Sequence, residues 1–311
     1  MQNHTSRPAK VLVTGASGLL GAWVCRELLD QGNEVIALSQ QTPLREDLAT
    51  YRVRLDLCDK DMLDSLFQQF RPTAVIHTAA LADPQLCEEQ PLLSRRLNVE
   101  VSRQIAQRCQ INQIPMVFTS TDLVYDGERG NYLESDPVSP INRYGEHKAE
   151  AERVILDACP TAAVFRLPLL YGEGLYATSP MHQWLKQLEE GKRLFGFSDE
   201  LRSSVDYPTA AAGIVKLYLA AQGEVIHLGG IETLSRLILM RSIASAFGYN
   251  PQKIEAKVQA DMTFRAARPR DVSLDSRKAR AMGYKTPILS DVMQRFAKST
   301  DFSDIQHSLR P

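Results

Sequence analysis

The sequence lacks several features that would place a protein in a membrane, outside the cell or on nucleic acid. No apolar run is long enough to span a bilayer, and residues 1–10 are polar, without the apolar core of a signal peptide. The five cysteines are scattered, with neither paired nor metal-ligand spacing, which favours reduced thiols. The net charge is −1 and no basic run is sustained. We therefore expect a cytoplasmic protein without a metal site, a membrane partner or a nucleic-acid partner.

What the sequence does contain is an ordinary globular composition arranged in a repeated strand–helix pattern. The hydrophobic and charged fractions are 44% and 23%, and 311 residues are enough for two domains. Strand–helix alternations run through residue 166, and the regularity ends beyond Gly172. The pattern predicts an α/β fold with a doubly wound parallel sheet over residues 1–170. We expect residues 171–311 to form a smaller substrate-binding lobe, interleaved with the first domain.

A glycine-rich turn follows the first predicted strand, residues 10–14. It reads Gly15-Ala-Ser-Gly18-Leu-Leu-Gly21 and leads into a helical pattern that stops at Gly32. Backbone N–H groups at such a helix start face a phosphate, and glycine lets the phosphate approach closely. A tight turn without ligand is the alternative, but its place at the start of an α/β pattern favours a dinucleotide-binding Rossmann site. The expected cofactor contacts are Gly15, Ser17, Gly18, Leu19 and Gly21.

The residues after the second predicted strand bear on which dinucleotide binds. The stretch from Ser39 to Arg45 has no carboxylate to bind the ribose 2′-hydroxyl of NAD. The Ser39 hydroxyl and the Arg45 cation would instead tolerate a 2′-phosphate, although Arg45 is equally consistent with a solvated loop residue. This favours NADPH, with NADH as the alternative. After the third predicted strand, Asp56 and Leu57 are expected cofactor contacts, since the Asp56 carboxylate could accept a hydrogen bond from the adenine amino group. After the fourth, the small residues Ala79 and Ala80 are expected contacts because they let the cofactor lie close to the backbone.

Residues 118–148 hold the candidate active site. A short strand runs out into polar residues that include Thr121 and Asp122. A helix that begins near residue 142 carries Tyr144 and Lys148 four residues apart, so both side chains lie on one helical face. A hydroxyl, a phenol and an ammonium then converge where a parallel sheet opens toward ligand. The alternatives are an amphipathic surface pair for Tyr144 and Lys148, and a loop cap for Asp122.

Several of these stretches together resemble the extended short-chain dehydrogenase/reductase family. The matching motifs are Thr14-Gly15-x-x-Gly18-x-x-Gly21, Asp56-Leu57, Ala79-Ala80, Asn98 and Tyr144-x-x-x-Lys148. The resemblance implies that Tyr144 protonates the substrate oxygen while Lys148 lowers its pKa and holds the nicotinamide ribose. It also implies that Thr121 bonds the substrate oxygen. Asn98 is a further expected residue of the cofactor site, placed to brace the active-site strand.

Within that family the chain looks most like dTDP-4-dehydrorhamnose reductases. The likeness rests on Ser120-Thr-Asp-Leu-Val-Tyr-Asp-Gly127, Tyr132-x-Glu134-x-Asp136, Pro140-x-Asn142-x-Tyr144-Gly145 and Arg268-Pro269 with Leu274-Asp275-x-x-Lys278. It implies NADPH-dependent reduction of a nucleotide-linked 4-keto sugar, as in dTDP-rhamnose biosynthesis. The substrate contacts implied are Thr121, Asp122, Arg202 and Arg268.

The chain departs from that subgroup at three places. His147 stands where a serine usually precedes the lysine, Leu123 replaces an aromatic residue, and residues 81–84 do not match the usual run near the sugar site. Related 4,6-dehydratases carry a Thr-Asp-Glu run, so Leu123 after Thr121-Asp122 leaves the dehydration acid/base pair incomplete. The departures favour reduction over dehydration and leave the sugar open.

Two further functions stay open on the residues alone. Phe165-Arg-Leu-Pro-Leu-Leu-Tyr-Gly-Glu173 resembles the regulatory β subunit of methionine adenosyltransferase, which implies a non-catalytic NADP-binding subunit of a partner enzyme. A nucleotide-sugar epimerase is the other alternative. By analogy alone, the helices predicted at residues 91–111 and 142–156 would pair two copies in a homodimer.

Overall fold

A parallel seven-stranded sheet forms the centre of the computed structural model, which describes residues 8–175 and 177–298. Its order is β7-β6-β5-β4-β1-β2-β3, and each pair of neighbours is parallel. The predicted doubly wound α/β fold is confirmed. The strands are β1 (Lys10–Thr14), β2 (Glu34–Ser39), β3 (Tyr51–Arg54), β4 (Ala74–His77), β5 (Met116–Thr121), β6 (Ala163–Leu167) and β7 (Val225–His227).

The central strands are apolar at consecutive positions because helices cover both faces of the sheet. In β1, Val11 and Val13 pack into one core while Leu12 packs into the other. On the first face α1 (Leu19–Asp30) packs against α8 (Tyr207–Leu217), and α2 (Lys60–Phe70), α5 (Val101–Asn112) and α6 (Arg143–Ala158) lie on the second.

The single helix predicted over residues 91–111 has a more complex backbone. It consists of α4 (Pro91–Arg95), a π-helical segment (Arg96–Glu100) and α5, after the short helix α3 (Pro84–Glu89). A π-helical segment widens the helix by one residue and often marks a functional position. Here it contains Asn98, whose buried side chain leaves the helix to bind the loop after β4.

The second half of the chain contributes to the sheet as well as to a lobe. β7 pairs with β6 and completes the central sheet, and α8, which precedes it in the chain, packs on α1. Residues 171–298 therefore do not form a wholly separate body. The division at residue 170 stays a prediction.

The remaining elements form the lobe above the carboxyl ends of the strands. Within it, Ser203 and Ser204 separate two short strands that pair with different partners. The short pairs are Leu170–Tyr171 with Val205–Asp206, Leu201–Arg202 with Leu234–Ser235, and Leu194–Phe197 with Ile254–Lys257. The helices are α7 (Pro180–Glu189), α9 (Arg236–Ala246), α10 (Arg277–Ala281) and α11 (Leu289–Lys298).

Strand order reverses between β1 and β4, so the loops after these two strands diverge and open a crevice. The glycine turn follows β1 and the residues after His77 follow β4. Beside them, β5 ends at Thr121 and continues into a turn, Asp122–Val124. Within the described residues, no helix is long and apolar enough to cross a membrane.

Helix α6 lies unusually close to the Asp122–Val124 turn because its third residue is Gly145. A Cβ at Gly145 would lie 2.1 Å from the carbonyl oxygen of Leu123. We therefore expect Gly145→Ala to push α6 away from β5 and to destabilise the protein by about 1–3 kcal/mol, as overpacking does. Urea unfolding measures this loss. Arg153→Ala, at an exposed position of the same helix, is the control, and an equal loss in both variants would contradict the close-packing argument.

Candidate functional site

One cleft of about 770 Å³ lies between the carboxyl ends of the strands and the lobe. Its volume is typical of a small-molecule site. Of the residues that the sequence singles out, eleven line it: Gly15, Gly18, Leu19, Gly21, Ala80, Thr121, Asp122, Tyr144, Lys148, Arg202 and Arg268. Seven others do not: Ser17, Ser39, Arg45, Asp56, Leu57, Ala79 and Asn98.

The glycine turn has the geometry of a phosphate cradle. Gly15 has a φ of +67°, and a Cβ on Gly21 would lie 2.2 Å from the Gly15 carbonyl oxygen. Gly18 is the N-cap of α1 and supplies no side-chain cap, so the first N–H groups of the helix are left for a ligand. The residues present therefore fit the pyrophosphate of a dinucleotide at this end of the cleft.

The residues expected near the adenosine lie away from the cleft lining. Ser39 is the buried last residue of β2, and Arg45 lies in the exposed loop that follows. The Arg45 guanidinium binds Asp47 at 3.0 Å, and Arg26 binds the same carboxylate at 2.8 Å. Sequence reasoning overlooked Asp47, which is separated from the strand by a loop. Asp56 accepts a hydrogen bond from the Cys58 N–H in the turn after β3.

Asn98 positions the loop after β4 instead of lining the cleft. Its amide oxygen accepts from the Leu81 N–H at 2.8 Å, and its amide nitrogen donates to the Leu81 carbonyl at 3.1 Å. Asn98 thus bonds both backbone groups of Leu81, as a neighbouring β-strand would. These bonds fix the loop that places Ala80 in the cleft lining. His77 beneath it bonds Thr14 and Ser102, and burial lowers its pKa to about 3. His77 is thus a neutral structural residue.

Lys148 is a buried cation held by backbone and an aromatic ring. Its ammonium donates to the Thr119 carbonyl at 2.6 Å and lies 3.9 Å from the centre of the Phe118 ring. Burial lowers the pKa of Lys148 to about 7, while Glu152 one helical turn on acts in the opposite direction. An ammonium has three N–H donors, so two remain for hydroxyl groups of a ligand.

Tyr144 lies one helical turn before Lys148 and faces Thr121. Burial raises the pKa of Tyr144 above its ordinary value, nearby Asp122 adds to the rise, and a hydrogen bond with Thr121 opposes it. The family resemblance predicts a pKa lowered by Lys148, but the direction here is upward because desolvation dominates. A phenol with a raised pKa stays protonated at neutral pH, which is the form that donates a proton.

The start of α6 joins the phenol to the C-terminal part of the lobe. Asn142 is the N-cap, and its side-chain oxygen accepts from the Gly145 N–H at 2.9 Å. Its side-chain nitrogen donates to the Ala267 carbonyl at 2.9 Å. The same residue therefore begins the helix that carries Tyr144 and holds the segment that carries Arg268.

Asp122 is a buried carboxyl group with incomplete bonding. One oxygen accepts from the Thr121 hydroxyl at 3.1 Å, while the other has no hydrogen-bond partner among the described residues and lies 3.4 Å from the Arg202 guanidinium. Burial raises the pKa of Asp122 to about 6, although Arg202 lowers it. An unsatisfied buried oxygen in a cleft wall is suited to a polar ligand group.

Beyond Asp122 the cleft ends in three arginines gathered around one buried carboxylate. Arg268 and Arg236 bind Glu200 at 2.6 Å and 3.1 Å, and Arg202 lies 3.9 Å from it. Burial alone would raise the pKa of Glu200, but the three guanidinium groups together lower it. Here three cations face the two carboxyl groups of Glu200 and Asp122, so this end attracts an anion.

The three arginines do different things. Arg202 is buried, and its guanidinium donates to the backbone carbonyls of Leu201, Pro269 and Arg270, which makes it a structural support. The side chains of Arg236 and Arg268 are about a quarter exposed, at 25% and 26%, and reach the cleft surface. Sequence reasoning missed Arg236 and Glu200, because no local pattern distinguishes them from surface charges.

Comparison with known proteins agrees with this geometry. The family model described as "RmlD substrate binding domain" matches residues 9–300. A probable low-salt glycan biosynthesis reductase, Agl14, of Haloferax volcanii is 30% identical and covers 94% of this chain and 98% of its own. Methionine adenosyltransferase 2 subunit beta of Danio rerio is 26% identical over 88% of this chain and 85% of its own. The structure of dTDP-4-dehydrorhamnose reductase from Bacillus anthracis with NADP superposes with a TM-score of 0.82 at 22% identity, over 93% and 98% of the two chains.

The raised pKa of Asp122 predicts a pH-dependent effect on stability. The folded protein binds this proton more tightly than the unfolded chain, so the group lowers stability as pH rises from about 4 to about 6. Between pH 4.5 and 7.5, wild type should lose about 2 kcal/mol relative to Asp122→Asn, which cannot titrate. Urea unfolding at both pH values tests this, with the exposed Asp157→Asn as control. A difference between wild type and Asp122→Asn that is the same at both pH values would refute the assignment.

Proposed function

Since this chain belongs to the RmlD substrate binding domain family, we propose that it is an NADPH-dependent oxidoreductase that reduces the keto group of a nucleotide-linked 4-keto sugar. The observation that carries the proposal is the layout of one cleft. The glycine turn at residues 15–21, Tyr144, and the three arginines Arg202, Arg236 and Arg268 all line it. This combination suits a cofactor, a reacting ketone and an anionic nucleotide.

The residues of the chain then have distinct roles in the reaction. NADPH, when bound on the glycine turn, supplies the hydride that reduces the carbonyl carbon. Tyr144 donates its phenolic proton to the carbonyl oxygen, and the Thr121 hydroxyl orients that oxygen. Lys148 binds the ribose hydroxyls with its two remaining N–H donors. Its ammonium group also stabilises the negative charge of the phenolate that forms on Tyr144. Arg236 and Arg268 hold the phosphates of the substrate, and Asp122 accepts from a sugar hydroxyl.

A second candidate function is that of a regulatory subunit that binds NADP without turnover. It is supported by the similarity to methionine adenosyltransferase 2 subunit beta over 88% of this chain. The reductase proposal is favoured because Agl14, a probable reductase, is 30% identical and matches almost end to end, over 94% of this chain and 98% of its own. Both functions require the dinucleotide site, so only turnover and a partner enzyme separate them.

We expect Tyr144→Phe to lose at least a hundredfold in kcat, because the proton donor is gone while the shape of the cleft stays. The measurement is NADPH oxidation with dTDP-4-keto-6-deoxyhexose. The dissociation constant for NADPH should change less than threefold. Tyr51→Phe is the matched control, since its hydroxyl donates to Glu34 at the amino end of β2, away from the cleft.

Three outcomes of that assay would count against the proposal. Undiminished turnover in Tyr144→Phe would remove the catalytic role of the phenol. Tight NADPH binding without turnover in wild type, together with a co-purifying partner enzyme, would favour the regulatory subunit. A changed sugar without net NADPH consumption would indicate an epimerase.

The choice of cofactor depends on Arg45. We expect tighter binding of NADPH than of NADH, and Arg45→Ala should weaken NADPH about tenfold while NADH changes less than twofold, because only NADPH has a 2′-phosphate. Arg103→Ala, on the exposed side of α5, is the control. Dissociation constants from fluorescence titration test this, and a preference for NADH in wild type would overturn the argument from the loop after β2.

A further inference from the structure

Three segments beside the part of the cleft that contains Tyr144 and Arg268 are joined in a closed ring of hydrogen bonds. They are α3, residues 265–267 and the start of α6. The first link runs from Gln85 in α3 to residues 265–266, and the second from Ala267 to the Asn142 side chain. The third link closes the ring, because the Arg143 N–H at the start of α6 donates to the Glu88 carboxylate in α3 at 2.7 Å. The ring therefore sets how far α3, α6 and the lobe can separate.

Gln85 makes the link between α3 and the segment that leads to Arg268. Its side-chain oxygen accepts from the Arg265 N–H at 3.1 Å and from the Ala266 N–H at 3.2 Å. Both Gln85 and Ala266 line the cleft. Because both partners are backbone donors, the amide oxygen must face them. The amide nitrogen, which makes no hydrogen bond within residues 8–175 and 177–298, is left as a donor on a side chain of the cleft wall.

The link also affects the anion-binding end. Residues 265 and 266 lead directly into Arg268, whose guanidinium binds Glu200. Two N–H groups held by Gln85 therefore fix the backbone from which Arg268 extends. This part of α3 follows residues 81–84, where the sequence departs from the reductase subgroup.

A neighbouring ion pair does not replace the link. Glu89 and Arg265 form a salt bridge at 2.8 Å, but both side chains are exposed, at 45% and 61%, and neither residue lines the cleft. An exposed pair of this kind contributes little to holding two segments together. The partners of Gln85 are two backbone N–H groups, which are fixed in place, whereas both partners of the ion pair are exposed side chains.

From this geometry we propose that Gln85 is a positioning residue that latches α3 to residues 265–268 and thereby seats the nucleotide-linked substrate. The proposal rests on the proposed function for the identity of the substrate. In the closed ring, Arg268 is held in place and the Gln85 amide nitrogen faces substrate. When the latch opens, α3 and the lobe separate and substrate enters or leaves.

Three variants separate the two roles of the side chain. Gln85→Met keeps the volume but cannot accept from the two N–H groups, so it opens the latch. Gln85→Glu still accepts both N–H groups but replaces the amide donor with a negative charge. Glu89→Gln weakens the outer salt bridge on the same helix and is the matched control.

The first measurement is hydrogen exchange at the amides of Arg265 and Ala266, which needs no turnover. Exchange should be at least tenfold faster in Gln85→Met, and within twofold of wild type in Gln85→Glu and Glu89→Gln. Unchanged exchange in Gln85→Met would overturn the latch.

The second measurement is steady-state kinetics with the keto sugar. Gln85→Met and Gln85→Glu should each raise KM about tenfold and change kcat less than threefold, since Tyr144 and Thr121 are untouched. The NADPH dissociation constant should stay within twofold in all variants. Faster exchange with an unchanged KM would overturn the claim that the latch seats substrate, because a merely structural contact would behave in that way.

If the proposed function is wrong, the result differs from the one expected if only the role of Gln85 is wrong. Wild type would then bind NADPH but turn over no keto sugar, and the exchange measurement would still test the latch. Seating would be measured by calorimetry with dTDP as the probe. An equal dTDP dissociation constant in wild type and Gln85→Met would overturn the proposal, and a weaker one in the variant would support it.

Discussion

The ion pairs of the buried Glu200 carboxylate are the interactions on which the lobe side of the cleft depends. The carboxylate binds arginines from three separate segments: Arg202 from a short strand, Arg236 from the first residue of α9 and Arg268 from the irregular segment before α10. A buried carboxylate without such partners would be strongly unfavourable, and three clustered guanidinium groups without a carboxylate would repel one another. The mutual requirement brings the three segments together beside Asp122, at the end of β5.

Backbone contacts link this arrangement to the loop that follows β5. Arg202 donates to carbonyl groups of residues 269 and 270, and the Asp271 N–H donates to the Gly127 carbonyl in the loop after β5. Gly127 has a φ of +83°, and a Cβ there would lie 2.5 Å from Pro269. The two loops therefore touch backbone to backbone. Together with the bond from Asn142 to the Ala267 carbonyl, these contacts join the lobe to the loop after β5 and to the start of α6.

The electrostatic states within the cleft follow from burial more than from local charge pairs. Desolvation lowers the pKa of Lys148 to about 7, raises that of Asp122 to about 6, and raises that of Tyr144. Each group is therefore shifted toward its neutral form, and a ligand that brings charge or hydrogen bonds shifts it again. The protonation states of these groups therefore depend on what the cleft binds. This agrees with a reaction in which hydride and proton transfer are coupled.

The sequence alone determined the succession of strands and helices, the glycine turn, and the residues that follow the strands. Strand patterns and helix caps are local, so the succession of β1 to β6 along the chain and the Tyr144–Lys148 spacing could be predicted from short windows. Only the tertiary structure decided the rest. β7 joins the sheet from a distant part of the chain, Arg236 and Glu200 reach the cleft through contacts far apart in sequence, and Arg45 is paired with Asp47. Such pairings depend on which segments the fold brings together, and no local pattern of residue types carries that information.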